Sequence, residues 1–300
     1  MSAIYTDAQK RHDFLFLFDV TDGNPNGDPD NDNLPRTDPE TGQGLVTDVC
    51  LKRKIRGYVY AAKQGQSGFD IYIRTDRPLN EKHEEAHRST DPDNNYGKKE
   101  TKKDQKRVIE GQAQKLLCEK FFDVRTFGAV MTTGEKNCGQ VRGPMQLTFS
   151  RSIDRVFSYD LSLTRQAVTT TKDFESKDSE MGRKALLPYG LYKGYGFYSP
   201  LLANRTGFSN DDLALFWDAM QNMFENDHSA SRGSMAMHEV GIFSHDKPMG
   251  NAPSHKLFQQ VAVALEKVEN PRKYSDYGVI FPPEGEMKDF PGVSFKRLIG

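Results

Sequence analysis

The clearest sequence of apolar and polar segments lies in the first fifth of the chain. Residues 14–18 form a short apolar run rich in aromatics, which predicts a buried strand. Residues 21–36 hold so many Gly, Pro, Asn and Asp that they predict a loop of tight turns. Residues 46–59 have the spacing of an amphipathic helix, which Thr47 can cap. The order predicted is therefore strand, long polar loop and helix.

The predicted helix carries apolar and basic residues on different faces. We assign five residues to its apolar face: Val49, Leu51, Ile55, Tyr58 and Val59. Three cations lie largely off that face: Lys52, Arg53 and Arg56. A helix holds such charges in fixed positions, as a surface that binds an anion requires.

Predicted strands and helices alternate along the rest of the chain. Strands are predicted at residues 69–74, 140–150, 156–164, 191–198, 235–243 and, less clearly, 257–265. Helices are predicted at residues 108–122 and from a capping box at Ser209 and Asp212 through Phe224. Two polar segments interrupt this pattern: residues 78–106, predicted to be inserted and mobile, and residues 169–184, predicted to project from the core. The class is α/β or α+β.

Bulk composition narrows the class of protein. A chain of 300 residues with 36% hydrophobic residues suits one elaborated domain or two small ones. No apolar run approaches the roughly 18 residues that span a bilayer, and the N-terminus shows no signal sequence. Three widely spaced cysteines indicate reduced thiols, so we expect a cytoplasmic protein without membrane contact. The net charge of -1 excludes a uniformly basic surface but permits a local basic groove.

Two motif matches suggest metal chemistry. Residues 83–87 read H-E-x-x-H, but Lys82 and Arg88 flank the motif where a buried zinc helix would be apolar, which favours an exposed polar segment over a protease. Residues 22–27 open like a calcium loop, yet Asn33 stands where that loop needs a bidentate Glu. We predict no metal site, no cofactor and no catalytic residue. A metal-dependent nuclease acting through the acidic loop remains the alternative class.

Two further segments have both a structural and a binding interpretation. Residues 193–197 match the start of an RNA-binding motif whose aromatics stack on bases, although packing within a sheet is favoured for Tyr189, Tyr192, Tyr195 and Phe197. Residues 98–107 carry six cations, which a solvated face explains without a ligand.

An ordered series of short segments resembles one protein family along essentially the whole chain. The segments are N-P-N-G-D-P (24–29), L-P-R-T-D (34–38), V-T-D-V-C-L-K-R-K-I-R (46–56), D-V-R-T-F-G-A-V (123–130), G-P-M-Q-L-T-F-S-R-S-I-D (143–154), P-Y-G-L-Y (188–192), T-G-F-S-N-D-D-L (206–213), H-S-A-S-R-G (228–233) and G-N-A-P (250–253). In this order they resemble the backbone subunit of type I CRISPR surveillance complexes, the "Cas seven" proteins of Cascade. The similarity is greatest to the type I-C, or Csd-type, member.

The resemblance implies a fold and a function. It implies an α+β protein of one elaborated domain over residues 1–300, with an RRM-like (ferredoxin-like) palm, fingers inserted at residues 75–107 and a thumb inserted at residues 165–187. It further implies a non-enzymatic subunit whose copies stack helically along CRISPR RNA and present it to a target DNA strand in antiviral defence. The implied partners are further copies, a Cas-five-type RNA-processing subunit, a large subunit and a small subunit.

Matched residue by residue, the resemblance also implies an RNA-binding set. Thr47 and Lys52 fall on the first helix, Phe127 and Gly128 on a second loop, and Lys172 and Met181 on the thumb, with Met181 at its apolar tip. The complete expected RNA-binding set is Asn24, Thr47, Lys52, Arg53, Arg56, Phe127, Gly128, Arg142, Lys172, Met181 and Arg232.

Overall fold

The computed structural model describes residues 3–167, 169, 179–266 and 268–299. The described strands are β1 (Arg11–Gly23), β2 (Gly27–Asp28), β3 (Leu34–Pro35), β4 (Gln43–Val46), β5 (Gly128–Val130), β6 (Gln140–Arg142), β7 (Met145–Leu147), β8 (Ser150–Arg155), β9 (Tyr159–Arg165), β10 (Glu180–Tyr198), β11 (Ser234–His245), β12 (Ala262–Leu265), β13 (Tyr277–Ile280), β14 (Gly285–Glu286) and β15 (Val293–Arg297). The helices are α1 (Asp48–Ala62), α2 (Leu79–Thr90), α3 (Lys103–Lys120), α4 (Phe122–Phe127), α5 (Pro200–Thr206), α6 (Asn210–Asn222) and α7 (Ser254–Phe258).

A large antiparallel sheet organises the described part of the chain. Its strand order is β14-β15-β11-β1-β10-β8-β4, and β7 and β9 also pair with β10. Strand β1 lies at the centre, where Phe16 pairs with Gly194 of β10 and Val240 of β11. The predicted apolar run is thus the middle of a longer strand. The mixed α and β architecture agrees with the predicted class.

One face of β1 forms the main core beneath α1 and α6. The rings of Phe14 and Phe16 are fully buried there, and Phe14 meets Trp217 edge to face at 4.9 Å between ring centroids. The opposing glycines of β10 make room for these rings. A Cβ on Gly194 would lie 2.3 Å from Phe16, and one on Gly196 would lie 2.0 Å from Phe14. The glycines between the aromatics of β10 therefore serve packing.

The other face of the sheet is covered by the segment that contains α7, β12 and β13. Leu15 and Leu17 of β1 belong to separate apolar clusters on this side. Tyr195 packs against Phe258 of α7 with 4.7 Å between ring centroids. On the helical face, the buried Tyr192 stacks on Phe18 at 5.3 Å. The prediction that these aromatics pack within the sheet is confirmed.

Two predicted features around residues 69–106 are wrong. Residues 69–74 were predicted to form a strand, but only an isolated bridge joins Asp70 to Phe121 there. The H-E-x-x-H segment was predicted to be exposed, but it lies on α2 with both histidines buried, because Tyr72 and α3 cover that face. The segment is amphipathic once its histidines are counted as core residues.

The two histidines of α2 have partners within the chain. Nε2 of His83 lies 2.7 Å from the hydroxyl of Tyr72, and Nε2 of His87 lies 2.9 Å from the carbonyl of Asn137. Burial lowers the pKa of both imidazoles. Within the described residues, no three His, Cys, Asp or Glu side chains are grouped so as to hold a metal ion.

Strand β9 and the first part of β10 form an antiparallel ribbon, which includes residues 180–184 of the segment predicted to project from the core. Leu163 pairs with Gly182 and Tyr159 with Leu186. All residues of β9 are exposed, in agreement with a segment that leaves the core. Residues 168 and 170–178, including Lys172, lie outside the described residues.

One smaller element also differs from expectation. Residues 257–265 were predicted as one strand, but α7 ends at Phe258 and β12 begins only at Ala262. Among the described helices, none combines the length and apolarity needed to cross a bilayer.

Candidate nucleic-acid interface

A cleft of about 760 Å³ opens between the polar loop after β1, the α1 helix and the base of the β9–β10 ribbon. Three residues of the expected RNA-binding set line it: Asn24, Arg53 and Arg232. Two further cations of the ribbon, Arg183 and Lys184, complete the cationic side. Four cations face two carboxylates, those of Asp32 and Asp160, so this cleft has an excess of positive charge.

The loop along this cleft is built from tight turns. Asp22, Asp32 and Asn33 adopt positive φ, which Asx side chains tolerate better than most. The N–H of Asn24 donates to the carbonyl of Ser231 at 2.8 Å, and its side-chain amide donates to the carbonyl of Asn33 at 2.7 Å. The loop is therefore closed on itself and tied to the turn that carries Arg232. The predicted loop of tight turns is confirmed.

Thr47 joins this loop to α1. Its hydroxyl accepts a hydrogen bond from the N–H of Cys50 at 3.2 Å, which is the predicted N-cap. The same hydroxyl and the N–H of Thr47 both donate to Oδ1 of Asn26, each at 2.9 Å. One threonine thus caps the helix and fixes the loop against its first turn.

A single carboxylate holds three cations beside the cleft. Asp227 lies 2.9 Å from a guanidinium nitrogen of Arg53 and 2.8 Å from one of Arg232, and it also binds the buried ammonium of Lys54. Burial raises the pKa of Asp227, but the hydrogen bond and charge of Lys54, followed by those of Arg53, outweigh that effect and lower the pKa. Asp227 therefore stays ionised and fixes the direction of both guanidinium groups.

Lys52 and Arg56 lie on another side of α1, around the ring of Phe127. The ammonium of Lys52 is 5.5 Å from the ring centroid and the guanidinium carbon of Arg56 is 5.4 Å from it. Each cation has an acidic partner: Asp48 is 2.9 Å from Lys52, and the buried Asp123 is 2.7 Å from Arg56. This side of α1 is consequently a small, ordered cluster of two ion pairs whose cations lie above an aromatic ring.

Gly128 ends α4 next to Phe127 and brings two backbones close together. Its φ is +83°, and an added Cβ would lie 2.3 Å from the carbonyl oxygen of Val141. Gly128 pairs with Arg142 in the β5–β6 ladder. The side chain of Arg142 is exposed and makes no hydrogen bond or ion pair with the described residues.

Comparison with known families identifies the chain. The family model of the CRISPR-associated protein Cas7 matches residues 10–281.

The chain belongs to the Cas7 family.

A curated relative, the CRISPR-associated protein Cas7 of Haloferax volcanii, is 28% identical over 234 residues, which cover 71% of this chain and 64% of the relative. The chain thus matches less than two thirds of that relative's length. A chain titled as part of a pre-nicking CRISPR RNA-guided surveillance complex has a TM-score of 0.48 at 15% identity, covering 78% of each chain. A chain of a second surveillance complex has a TM-score of 0.44 at 14% identity, covering 81% of this chain and 73% of that one.

Against this family background, the expected RNA-binding residues of this Cas7 protein fall into three groups. Asn24, Arg53 and Arg232 share the cleft, with Thr47 anchoring its loop, while Lys52, Arg56, Phe127, Gly128 and Arg142 follow the other side of α1 and the β5–β6 pair. Met181 lies apart on the ribbon, opposite Thr164 and 76% exposed. Lys172 lies outside the described residues. Roles in RNA binding remain predictions for all of them.

The structure also corrects and extends the sequence analysis of this Cas7 protein. Val49 was assigned to the apolar face of α1 but is exposed, because it lies about 200° around the helix from the buried Leu51, two residues later. Arg183, Lys184 and Asp227 were missed. The ribbon cations lie in a segment without periodicity, and only the pairing of β9 with β10 brings them to the cleft. No local signal links Asp227 to α1.

Proposed function

We propose that this chain is a non-catalytic CRISPR RNA-binding subunit that polymerises along the guide. In this proposal its copies form the helical backbone of a type I-C surveillance complex and present the guide for pairing with target DNA in antiviral defence. Support comes from family membership and from the ordered type I-C-like segments quoted above.

The cleft beside α1 carries the proposal. Its arginines and lysine surround a loop that is closed by its own hydrogen bonds, and two of the arginines, Arg53 and Arg232, are held by Asp227. Such a surface suits phosphates, which provide the same contact whatever the base. A guide of variable sequence requires this kind of contact, because its base edges must remain free to pair with the target.

The strand order supports an RRM-like palm. Strands β8, β10, β1 and β11 are neighbours, and α1 and α6 connect them on one face, which is the β-α-β-β-α-β order of ferredoxin-like domains. The opposite face, on which RRM domains stack bases, is covered here by residues around Phe258 and Tyr277. RNA is therefore proposed to follow the α1 side of the palm, and not the face of the sheet.

Fingers at residues 75–107 and a thumb at residues 165–187 complete the proposed architecture. The exposed β9–β10 ribbon fits a thumb that reaches beyond its own core. Tyr159, Leu161 and Leu163 lie along it with about half of each side chain exposed. In the proposal these apolar groups become buried when a neighbouring copy and its RNA are present. The remaining proposed partners are the Cas-five-type, large and small subunits.

Native mass spectrometry tests the proposal directly. The chain would be expressed with a CRISPR array and the expected partner subunits, and then purified. Several copies on one RNA of uniform length are expected. A monomer free of nucleic acid would refute the filament, and divalent-metal-dependent RNA cleavage lost in Asp22→Ala or Asp28→Ala would refute the non-catalytic role.

Neutralising two cations of α1 tests how the RNA is held. We expect Lys52→Gln with Arg53→Gln to weaken binding by about 4-fold per lost phosphate contact at physiological salt, and to lower the salt slope by about 0.7 per contact. The loss should be equal for RNAs of different sequence, measured by fluorescence anisotropy. Arg56 is left intact because it neutralises the buried Asp123. A loss restricted to particular sequences would show that these side chains read bases.

A further inference from the structure

A second cationic cleft lies on the side of the molecule formed by α3, β6 and α5. It has a volume of about 530 Å³, and its charged lining residues are Lys115, Arg142, Arg205 and Glu119. Only Arg142 belongs to the RNA-binding set expected from the sequence. The other two cations are Lys115 on α3 and Arg205 on α5, two helices that are distant from each other in sequence.

Two of the three cations have no partner within the described chain, and the third is paired only with an exposed carboxylate. Arg142 and Arg205 are exposed and make no hydrogen bond or ion pair with a described residue. Lys115 is 80% exposed in its side chain, and its nearest carboxylate, on Glu119, is 3.8 Å away. In a protein whose net charge is -1, three cations against one carboxylate form a local excess of positive charge.

A glycine in the middle of α3 is the second observation. Gly111 lines this cleft, and a Cβ added to it would meet no described atom within 4 Å beyond its chain neighbours and the backbone of its own helix. Glycine destabilises a helix interior relative to alanine, and packing within the described chain does not require it here. A glycine at such a position permits an external backbone to approach the helix closely.

We propose that this cleft binds the phosphodiester backbone of a nucleic-acid strand, with Lys115, Arg142 and Arg205 as its phosphate ligands and Gly111 as the point of closest approach. This proposal rests on the proposed function and extends the RNA surface from Arg142 across to α3 and α5. Nucleic acid is favoured over a protein partner because lysine is depleted from the centres of protein interfaces, whereas phosphate binding uses exposed lysine and arginine.

The test uses the full-length protein and the double variant Lys115→Gln with Arg205→Gln. The control is Lys256→Gln with Lys288→Gln, which changes the net charge equally at two exposed positions elsewhere. One arm measures binding of a short single-stranded RNA over a series of salt concentrations. The other measures binding of a single-stranded DNA target to the assembled, guide-loaded complex. Thermal melting verifies that all variants are folded.

A phosphate site predicts a loss of about 15-fold in affinity for two contacts at physiological salt, and a salt slope smaller by about 1.4, relative to the control. A loss in the RNA arm identifies the guide as the strand, and a loss in the DNA arm alone identifies the target. Gly111→Gln, which places a side chain in the cleft without removing a charge, should weaken the same arm and slightly raise the melting temperature, because glutamine is a better helix former than glycine.

Three outcomes would overturn the inference. If wild-type protein binds RNA and target but the Lys115 and Arg205 variant behaves like the control, the cleft is not a phosphate site and the proposed function stands. If the variant retains affinity for both strands but loses contact between copies in native mass spectra, the cleft binds protein. If wild-type protein binds neither strand, the proposed function fails together with this site.

Discussion

Replacing Asp227 by asparagine should destabilise the protein by about 3 kcal/mol, because it leaves a buried lysine without a counter-charge. The ammonium of Lys54 belongs to a side chain with 0% exposure, and Asp227, 15% exposed, is its only acidic partner among the described residues. Asparagine has nearly the same shape and can still accept one hydrogen bond. The substitution therefore keeps the shape of the side chain and removes the negative charge that Lys54 shares with the more exposed Arg53 and Arg232.

The magnitude follows from two limits. Removing one partner of a buried ion pair costs about 3–5 kcal/mol, and some exposure of Asp227 favours the lower end of that range. The upper limit is set by Lys54 itself, because burial already lowers its pKa and it can release its proton instead. Neutralising a lysine of ordinary pKa at pH 7 costs about 4.6 kcal/mol.

The assay is thermal unfolding of wild type and variant at pH 7 and pH 9. A loss of about 3 kcal/mol corresponds to a lower Tm by roughly 6 °C in a chain of this size. If Lys54 is neutral in the folded variant, the unfolded state binds more protons, so the stability of the variant should rise with pH up to the usual lysine pKa. The stability of the wild type should rise less over this interval.

A matched control and a rescue make the reasoning refutable. Asp246→Asn removes the same charge from a surface pair with Lys10, at 2.8 Å, and should cost less than about 1 kcal/mol. Adding Lys54→Met to Asp227→Asn should restore most of the lost stability, because no buried charge then remains. A Tm loss no larger than that of the control, without recovery at pH 9, would show that Asp227 does not stabilise Lys54.

Three further predictions concern the ribbon, a buried histidine and a glycine. Met181→Asp and its control, Ile280→Asp, both replace exposed apolar side chains, so each should change the free energy of unfolding by less than about 0.5 kcal/mol. Only Met181→Asp should impair target-strand pairing in a gel-shift assay. Burial lowers the pKa of His12 from 6.5 to about 4. Chemical denaturation should therefore show full stability above pH 6.5 and a loss of about 3 kcal/mol as the pH falls toward 4. The loss over the same pH interval should be smaller in His12→Gln. Gly128→Ala should lower the Tm far more than Gly207→Ala. Both glycines have positive φ, but only the Cβ added at residue 128 would meet a backbone oxygen, at 2.3 Å. Equal losses of Tm would show that backbone strain alone determines the cost.

Local signals in the sequence were sufficient for much of the fold. The central strand, the Thr47 cap, the Ser209–Asp212 capping box and the turns of the polar loop were all predicted, because each depends on residues a few positions apart. The strand prediction for residues 69–74 was wrong because a strand depends on residues that are distant in sequence. Their alternation is typical of a strand, but a strand also needs a neighbour to accept its hydrogen bonds, and only one bridge is present.

The sequence by itself determined which residue types this protein would offer: cations on α1, an Asx-rich loop, a run of aromatics on β10 and a family assignment from ordered motifs. Only the tertiary structure decided what each of them contacts. It placed Asp227 against Arg53 of α1, covered Tyr195 with Phe258 and buried His83. The physical reason is that charge and polarity are properties of a residue, whereas burial and pairing are properties of its neighbours, and those neighbours come from distant parts of the chain.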